Sequence, residues 1–518
     1  MTKSIAKAAG IVLMMNLASK ILGFVRETVI ANKFGASELT DAYLVAYTLP
    51  YFLQAILGFA LVTAVVPVLT KYLVKKDYEQ AWHVASTIIN LTAALLIVFS
   101  LLGMIAAAFL VKITAPGFSP DLSRLATDLA RIMFPSVVFM GVGMVLTGIL
   151  NATYKFAVPA FAPGFSNIII IVTVIFFGSR YGVTGLAVGT LVSFFGFLIL
   201  QIPVLKSIKF KYSFSFDYRH PAVKQAAYSI GPIVLGVAVN QIYFALNRIF
   251  ASGLAEGSIS ALNFANKLMT LPLGVFVAAV ASAIYPALSA QAIQGDRKAL
   301  TDTMLRGLGM VSLITVPAAV GLMMLREPII MLLFEHGAFD RQDTLATAAA
   351  LLYFSLGLFP GAANMVLTRA YYAVEDVKTP VIVGAFSIAV NLALSFALLP
   401  VMGHAGLALA NSLAAGFNTL FLFTRLKKHL PYLKGRSLLL SLGKMCAASA
   451  LMAVLIGGVS AFLGTVFNLA VRRELALMVF SAICTGAVSY FVAAFLLRVE
   501  DIRYVQEAFL NKLKRNKQ

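Results

Sequence analysis

Charge is scarce in this chain. Only 12% of its 518 residues are Asp, Glu, Lys or Arg, against roughly 25% in a soluble domain. Acid is scarcer still: 21 Asp and Glu face 41 Lys and Arg, a net charge of +20. The two cysteines, Cys446 and Cys484, lie in apolar runs, which argues against a disulfide framework or a thiolate metal site. His83, His220, His336, His404 and His429 fall in different segments and suggest no metal centre. The chain has no Walker-type glycine loop, so direct ATP hydrolysis is not expected. It also lacks paired carboxylates in a long loop, which a membrane-embedded glycosyltransferase or polymerase would need. The expectation is a protein that is not an enzyme and carries no cofactor.

What is abundant is apolar sequence. Hydrophobic residues make up 60% of the chain, and mean hydropathy is +0.91. Continuous apolar runs of about 20 residues recur along the chain, which predicts an all-α polytopic membrane protein rather than a β-barrel. The first run superficially resembles a signal peptide, but it continues to Ala31 and reads as a retained helix. Fourteen spans are expected, at 5–33, 39–72, 80–112, 122–151, 157–179, 182–204, 222–251, 258–290, 299–324, 343–373, 378–400, 404–426, 438–464 and 474–498. The apolar run within 326–343 is too short to cross.

The positive charge is patterned. Lys71, Lys75 and Lys76, then Lys206, Lys209, Lys211 and Arg219, then Arg425, Lys427 and Lys428 occupy alternate loops. Intervening loops such as 34–41 and 251–260 hold almost no cations. This is a positive-inside pattern and predicts that both termini are cytoplasmic. The charge is thus an orientation signal, and no nucleic-acid partner is implied.

An internal repeat is legible. "LTGILNATYKFAVPAF" from Leu146 aligns with "LTRAYYAVEDVKTPVI" from Leu367 at an offset of 221, and Gly185 meets Gly406 at the same offset. Upstream, Pro67 meets Pro286 at 219. The repeating unit has six spans, an even number, so both copies insert with the same orientation. Residues 1–210 (spans 1–6) and 211–430 (spans 7–12) are expected to form two lobes about a central cavity, as in transporters with a midplane site. Spans 13 and 14, within 431–500, are an appendage, and 501–518 is a basic tail.

Polar side chains interrupt the first span. Ser19 and Arg26 are seven apart, as are Lys20 and Glu27, so each pair returns to nearly one face. An ionisable group near the bilayer centre costs at least about 2.5–3.5 kcal/mol, and Lys20 is too central to snorkel. These residues are expected to face a water-filled cavity. Asp41 opens the second span, where it also suits the positive end of that helix. Arg248 near the end of span 7 is the repeat counterpart of Arg26 if one gap is allowed, and Lys267 stands between Asn263, Asn266 and the rest of span 8. Cations outweigh Glu27 and Asp41, so the expected cargo is anionic, with phosphate the natural partner of Lys and Arg. An exporter of cationic drugs would instead concentrate carboxylates.

The stretch "SKILGFVRETVIANKFGASELTDAYLVAYTLP" (19–50) resembles the start of the MurJ/MviN lipid II flippases, within the multidrug/oligosaccharidyl-lipid/polysaccharide exporter superfamily. "APGF" (115–118), "LNATYKFAVPAFAP" (150–163), "GPIVLGVAVNQI" (231–242), "EDVKTPV" (375–381) and "HAGLALA" (404–410) continue the resemblance through spans 1–12. It implies a V-shaped cavity between two six-helix lobes, with a lipid-tail groove on spans 13 and 14. The implied activity moves undecaprenyl-diphosphate-linked peptidoglycan precursor across the bacterial cytoplasmic membrane, with membrane lipids and cell-wall synthesis proteins as partners and a monomer as the working unit. The family's cavity arginines fall on Lys20 and Arg26, its following acid on Glu27, its second-span aspartate on Asp41 and its eighth-span cation on Lys267. This chain departs from the pattern where Lys replaces Arg and where Gln54 replaces a second-span arginine. Related polyprenyl-linked saccharides and drugs remain alternative cargoes, and a coupling ion or the membrane potential remains open as the energy source.

Overall fold

The structure, a computed structural model, describes residues 2–433, 435–499, 501 and 502. The basic tail cations Lys512, Lys514, Arg515 and Lys517 lie outside the described residues. Every described regular element is helical: α1 (Thr2–Phe34), α2 (Glu38–Val74), α3 (Tyr78–Thr114), α4 (Pro120–Met133), α5 (Ser136–Ala152), α6 (Ala157–Ile199), α7 (Ile202–Ser207), α8 (Pro221–Ala251), α9 (Ser258–Pro272), α10 (Ala278–Ile293), α11 (Arg297–Met324), α12 (Arg326–Leu333), α13 (Arg341–Leu356), α14 (Leu358–Ala373), α15 (Lys378–Leu426), α16 (Gly435–Val466) and α17 (Arg472–Leu496). A π-turn at Leu273–Val277 joins α9 to α10 just after Pro272, whose ring removes one ladder hydrogen bond.

Nine helices among the described residues are long and apolar enough to cross a membrane, or ten if the bent pair Arg341–Leu356 and Leu358–Ala373 is one span. The count is lower than the fourteen expected spans partly because α6 holds two of them, 157–179 and 182–204, and α15 holds another two, 378–400 and 404–426. Each of these elements reverses at a glycine. Gly182 has φ 55° and ψ −145°, and Gly403 has φ 56° and ψ −136°. In α6 the two halves fold back together, so Ser166 Oγ donates to Ser193 O at 2.9 Å. In α15 Ser387 Oγ donates to Ala414 O at 2.9 Å. Both positions of that pair, and the two glycines, are 221 apart. Tyr154 (φ 62°) and Glu375 (φ 63°) share a left-handed conformation at the same offset. The 219 offset recurs where Asp77 accepts from the Gln80 amide at 3.2 Å and Asp296 from the Ala299 amide at 2.9 Å, each capping the helix that follows.

The chain divides into two compact units. The first comprises residues up to Ser260 with His336–Asp340, so it includes α8. Ala222, Val223 and Ala226 of α8 join a core of Val65, Leu69, Trp82 and Ile149. The second comprises Ala261–Glu335 and the residues from Arg341 onward. Its main core gathers Leu300, Met304, Val366, Tyr371 and Leu422. A second cluster packs α16 and α17 on α11 through Leu313, Met445, Met452, Ile456 and Tyr490.

A polar seam between two apolar helices as the candidate site

Close approach of α1 and α6 in the first unit is built on glycine. A Cβ on Gly164 would stand 2.8 Å from Ser19 Oγ, and one on Gly23 would stand 3.2 Å from Asn167 Nδ2. Small residues let membrane helices meet closely, and polar side chains then pair across the contact. Ser19 Oγ donates to Ala160 O at 3.1 Å. Asn167 Nδ2 donates to Ser19 O at 3.2 Å, and its Oδ1 accepts from Arg26 Nη1 at 3.0 Å. Arg26 Nη2 is paired with Glu27 Oε1. The Glu27 side chain is 5% exposed and that of Arg26 is 17% exposed. The Arg26 Nε–H is buried and has no hydrogen-bond partner among the described residues. The guanidinium is therefore fixed on two sides with a donor to spare. Lys20, by contrast, is exposed.

Tyr43, Tyr47 and Tyr51 recur every four residues on α2 and stack, with ring centroids 6.0 and 5.5 Å apart. Tyr43 Oη and Thr190 Oγ1 are hydrogen-bonded at 3.0 Å. All three phenols lie within electrostatic reach of Arg26.

A second cluster of the first unit forms around Asp41, which is 4% exposed. Its Oδ1 accepts the Ser260 backbone amide at 2.7 Å and also the Ser260 hydroxyl. The carboxylate thereby caps the positive end of α9 from another helix. Arg248 Nη1 donates to Ile259 O at 3.4 Å and lies within electrostatic reach of Asp41.

Gln54 is buried and donates from Nε2 to Ser136 Oγ at 3.3 Å, while its Oε1 has no hydrogen-bond partner among the described residues. Asn263, Asn266 and Lys267 belong to the second unit and are half-buried. Their i, i+3, i+4 spacing puts them on one face of α9. Thr270 Oγ1, one turn on, donates to the carbonyls of Asn266 and Lys267 at 2.9 and 3.1 Å. Among the described residues, no group of three or more His, Cys, Asp or Glu could hold a metal ion.

Sequence reasoning missed Asn167, Tyr47 and Ser260. Asn167 carries a signal in retrospect: it is a lone amide heading the apolar run "SNIIIIVTVIFF". Ser260 carries none, because its hydroxyl and amide matter only through the helix packed against them.

The family model described as "Lipid II flippase MurJ" matches residues 30–476. A probable lipid II flippase MurJ of Buchnera aphidicola is 32% identical over 418 residues, 80% of this chain and 82% of that protein. The lipid II flippase MurJ of Burkholderia cenocepacia is 31% identical over 421 residues, with the same coverage. A solved structure of lipid II flippase MurJ in an inward closed conformation matches with a TM-score of 0.78 at 27% identity, over 94% of this chain and 99% of that one. An inward-facing multidrug resistance MATE family transporter of the MOP superfamily shares the fold, with a TM-score of 0.65 at 17% identity over 80% of this chain. With the family model covering most of the sequence and relatives above 30% identity, the chain belongs to the MurJ family.

Proposed function

We propose that this protein is a lipid II flippase, carrying the undecaprenyl-diphosphate-linked peptidoglycan precursor from the inner to the outer leaflet of the bacterial cytoplasmic membrane by alternating access. The observation that carries this reading is the held guanidinium of Arg26. Asn167 and Glu27 fix its plane, and its Nε–H, buried and without a hydrogen-bond partner among the described residues, is the donor a diphosphate oxygen would meet once α1 and α6 part. Charge-assisted bonds of this kind are about twice as strong as neutral ones. The cation also offsets the cost of bringing a diphosphate into low dielectric.

In this reading exposed Lys20 supplies a second cation. In the second unit the Asn263–Asn266–Lys267 face supplies another cationic surface. The stacked tyrosines of α2 offer ring faces beside Arg26. The reading needs no resident cofactor. Membrane potential, worth about 2.3 kcal/mol per charge per 100 mV, acts on the cationic residues and biases the resting state. The protein works as a monomer with both termini cytoplasmic, and the enzymes that make and consume its cargo stand on either side of the membrane.

The test is depletion of the protein in a cell without a redundant flippase, followed by measurement of lipid II accessible at the outer leaflet. The expected result is loss of outer-leaflet lipid II. Undiminished exposure rejects the assignment, and loss of a different lipid-linked saccharide reassigns the cargo.

A further inference from the structure

A recess of about 300 Å³ lies in the second unit, where the turn between α14 and α15 meets the end of α15. Its base is a closed hydrogen-bond cluster. Asp376 accepts from the Thr379 amide at 3.0 Å, from the Thr379 hydroxyl at 2.6 Å and from His429 Nε2 at 3.0 Å. Asp376 is therefore spent, and it anchors His429 in the wall.

The rim is cationic and uncommitted. Arg425 stacks over the Phe421 ring at 5.0 Å. This holds the guanidinium in place by its face and leaves the in-plane donors open. Arg425 and Lys428 are both exposed, and among the described residues neither has an ion-pair partner.

The remaining wall is apolar. Ile382 and Phe386, one turn apart on α15, line the recess and are 54% and 60% exposed. α15 is long and apolar enough to cross a membrane, and this strip lies on it directly beside the polar rim. A cationic rim continuous with an exposed apolar strip matches an amphiphile with an anionic head. Free phosphate satisfies only the rim.

We propose that this recess binds an anionic phospholipid, its phosphate held by Arg425 and Lys428 and one acyl chain laid along Ile382 and Phe386. Basic pockets at the cytoplasmic ends of membrane helices bind anionic headgroups in this way. The site shares no residue with the Arg26 seam, so the proposal stands whether or not the cargo assignment does.

The test uses the full chain in phosphatidylcholine vesicles, with the single tryptophan moved by Trp82→Phe and Phe386→Trp. Brominated phosphatidylglycerol at low mole fraction should quench this tryptophan at least twice as strongly as the same fraction of brominated phosphatidylcholine. Arg425→Gln with Lys428→Gln should remove the excess while leaving phosphatidylcholine quenching unchanged, which also reports that the helix is intact. Equal quenching by the two lipids overturns the proposal, as does an excess that survives both substitutions. Inorganic phosphate is the second arm: if it shifts the tryptophan emission in an Arg425-dependent way while phosphatidylglycerol does nothing, the site is one for a soluble anion and the lipid proposal is wrong.

Discussion

Asp41 accepts the backbone amide of Ser260 at 2.7 Å, so a carboxylate on α2 caps a helix that begins more than two hundred residues later. The cap satisfies an orphan donor at the start of α9 and sets negative charge at its positive end. Asp41→Ala removes the acceptor and leaves that amide without its partner, a loss of about 1–3 kcal/mol. Asp41→Asn keeps an acceptor and loses the charge, so its effect should be smaller. Thermal unfolding in detergent should rank wild type above Asp41→Asn and Asp41→Asn above Asp41→Ala. Ser260→Ala, which retains the amide, should cost less than Asp41→Ala and be non-additive with it. Additive effects would mean the pair does not act as one cap.

Arg26 is positioned by Asn167 at 3.0 Å and paired with Glu27. Arg26→Ala should abolish lipid II flipping in reconstituted vesicles while the protein still folds. Arg26→Lys keeps charge but loses the planar fork, so partial activity is expected. Asn167→Leu leaves the cation present with its orientation unset, and activity should fall between these two. Full activity of Arg26→Ala would remove the docking role.

Gly182 and Gly403 occupy a backbone region that only glycine enters readily, and nothing lies within 4 Å of a Cβ built at either. Substitution by alanine thus tests backbone strain without a steric clash. Each of Gly182→Ala and Gly403→Ala should destabilise by about 1–3 kcal/mol, by similar amounts, and independently because the sites lie in different units. Melting curves of the two single variants and the double variant give the comparison. A neutral effect at one position alone would show that the two reversals, alike in φ and ψ, are not energetically alike.

The sequence offset rests on Gly, Pro, Ser and Thr that recur at fixed distances, and the same offsets separate the Gly182 and Gly403 reversals, the Asp77 and Asp296 caps and the Ser166 and Ser387 bonds. The polar face of α1 was legible because helical periodicity alone brings Ser19 and Arg26 together. Their partners were not. Which helix packs against α1 is decided by shape, through Gly23 and Gly164, and Asn167 follows from that contact. Gln54 stands where the resemblance implies an arginine, and its contact with Ser136, from Nε2 to Oγ in a buried environment, is set by packing that the sequence does not display. The paired spans within α6 and α15 are legible because each reversal, at Gly182 and Gly403, interrupts the helix with a non-helical backbone.

Asp376 lies in the turn between α14 and α15. Partial burial alone would raise its carboxyl, but hydrogen bonds from the Thr379 hydroxyl and amide and from His429 outweigh this and hold it below the ordinary value of 3.8. A carboxyl depressed on folding adds stability that is fully present above its unfolded value and is lost as pH falls through the folded one. Asp376→Asn should therefore be less stable than wild type at neutral pH and still so in mild acid. The gap should be modest, about 1 kcal/mol or less for a solvent-screened pair. It should narrow only as pH drops below 3.8. Melting temperatures of the two proteins across acid pH give the readout: a gap that closes well above that value would mean the Thr379 and His429 bonds do not hold the carboxylate charged.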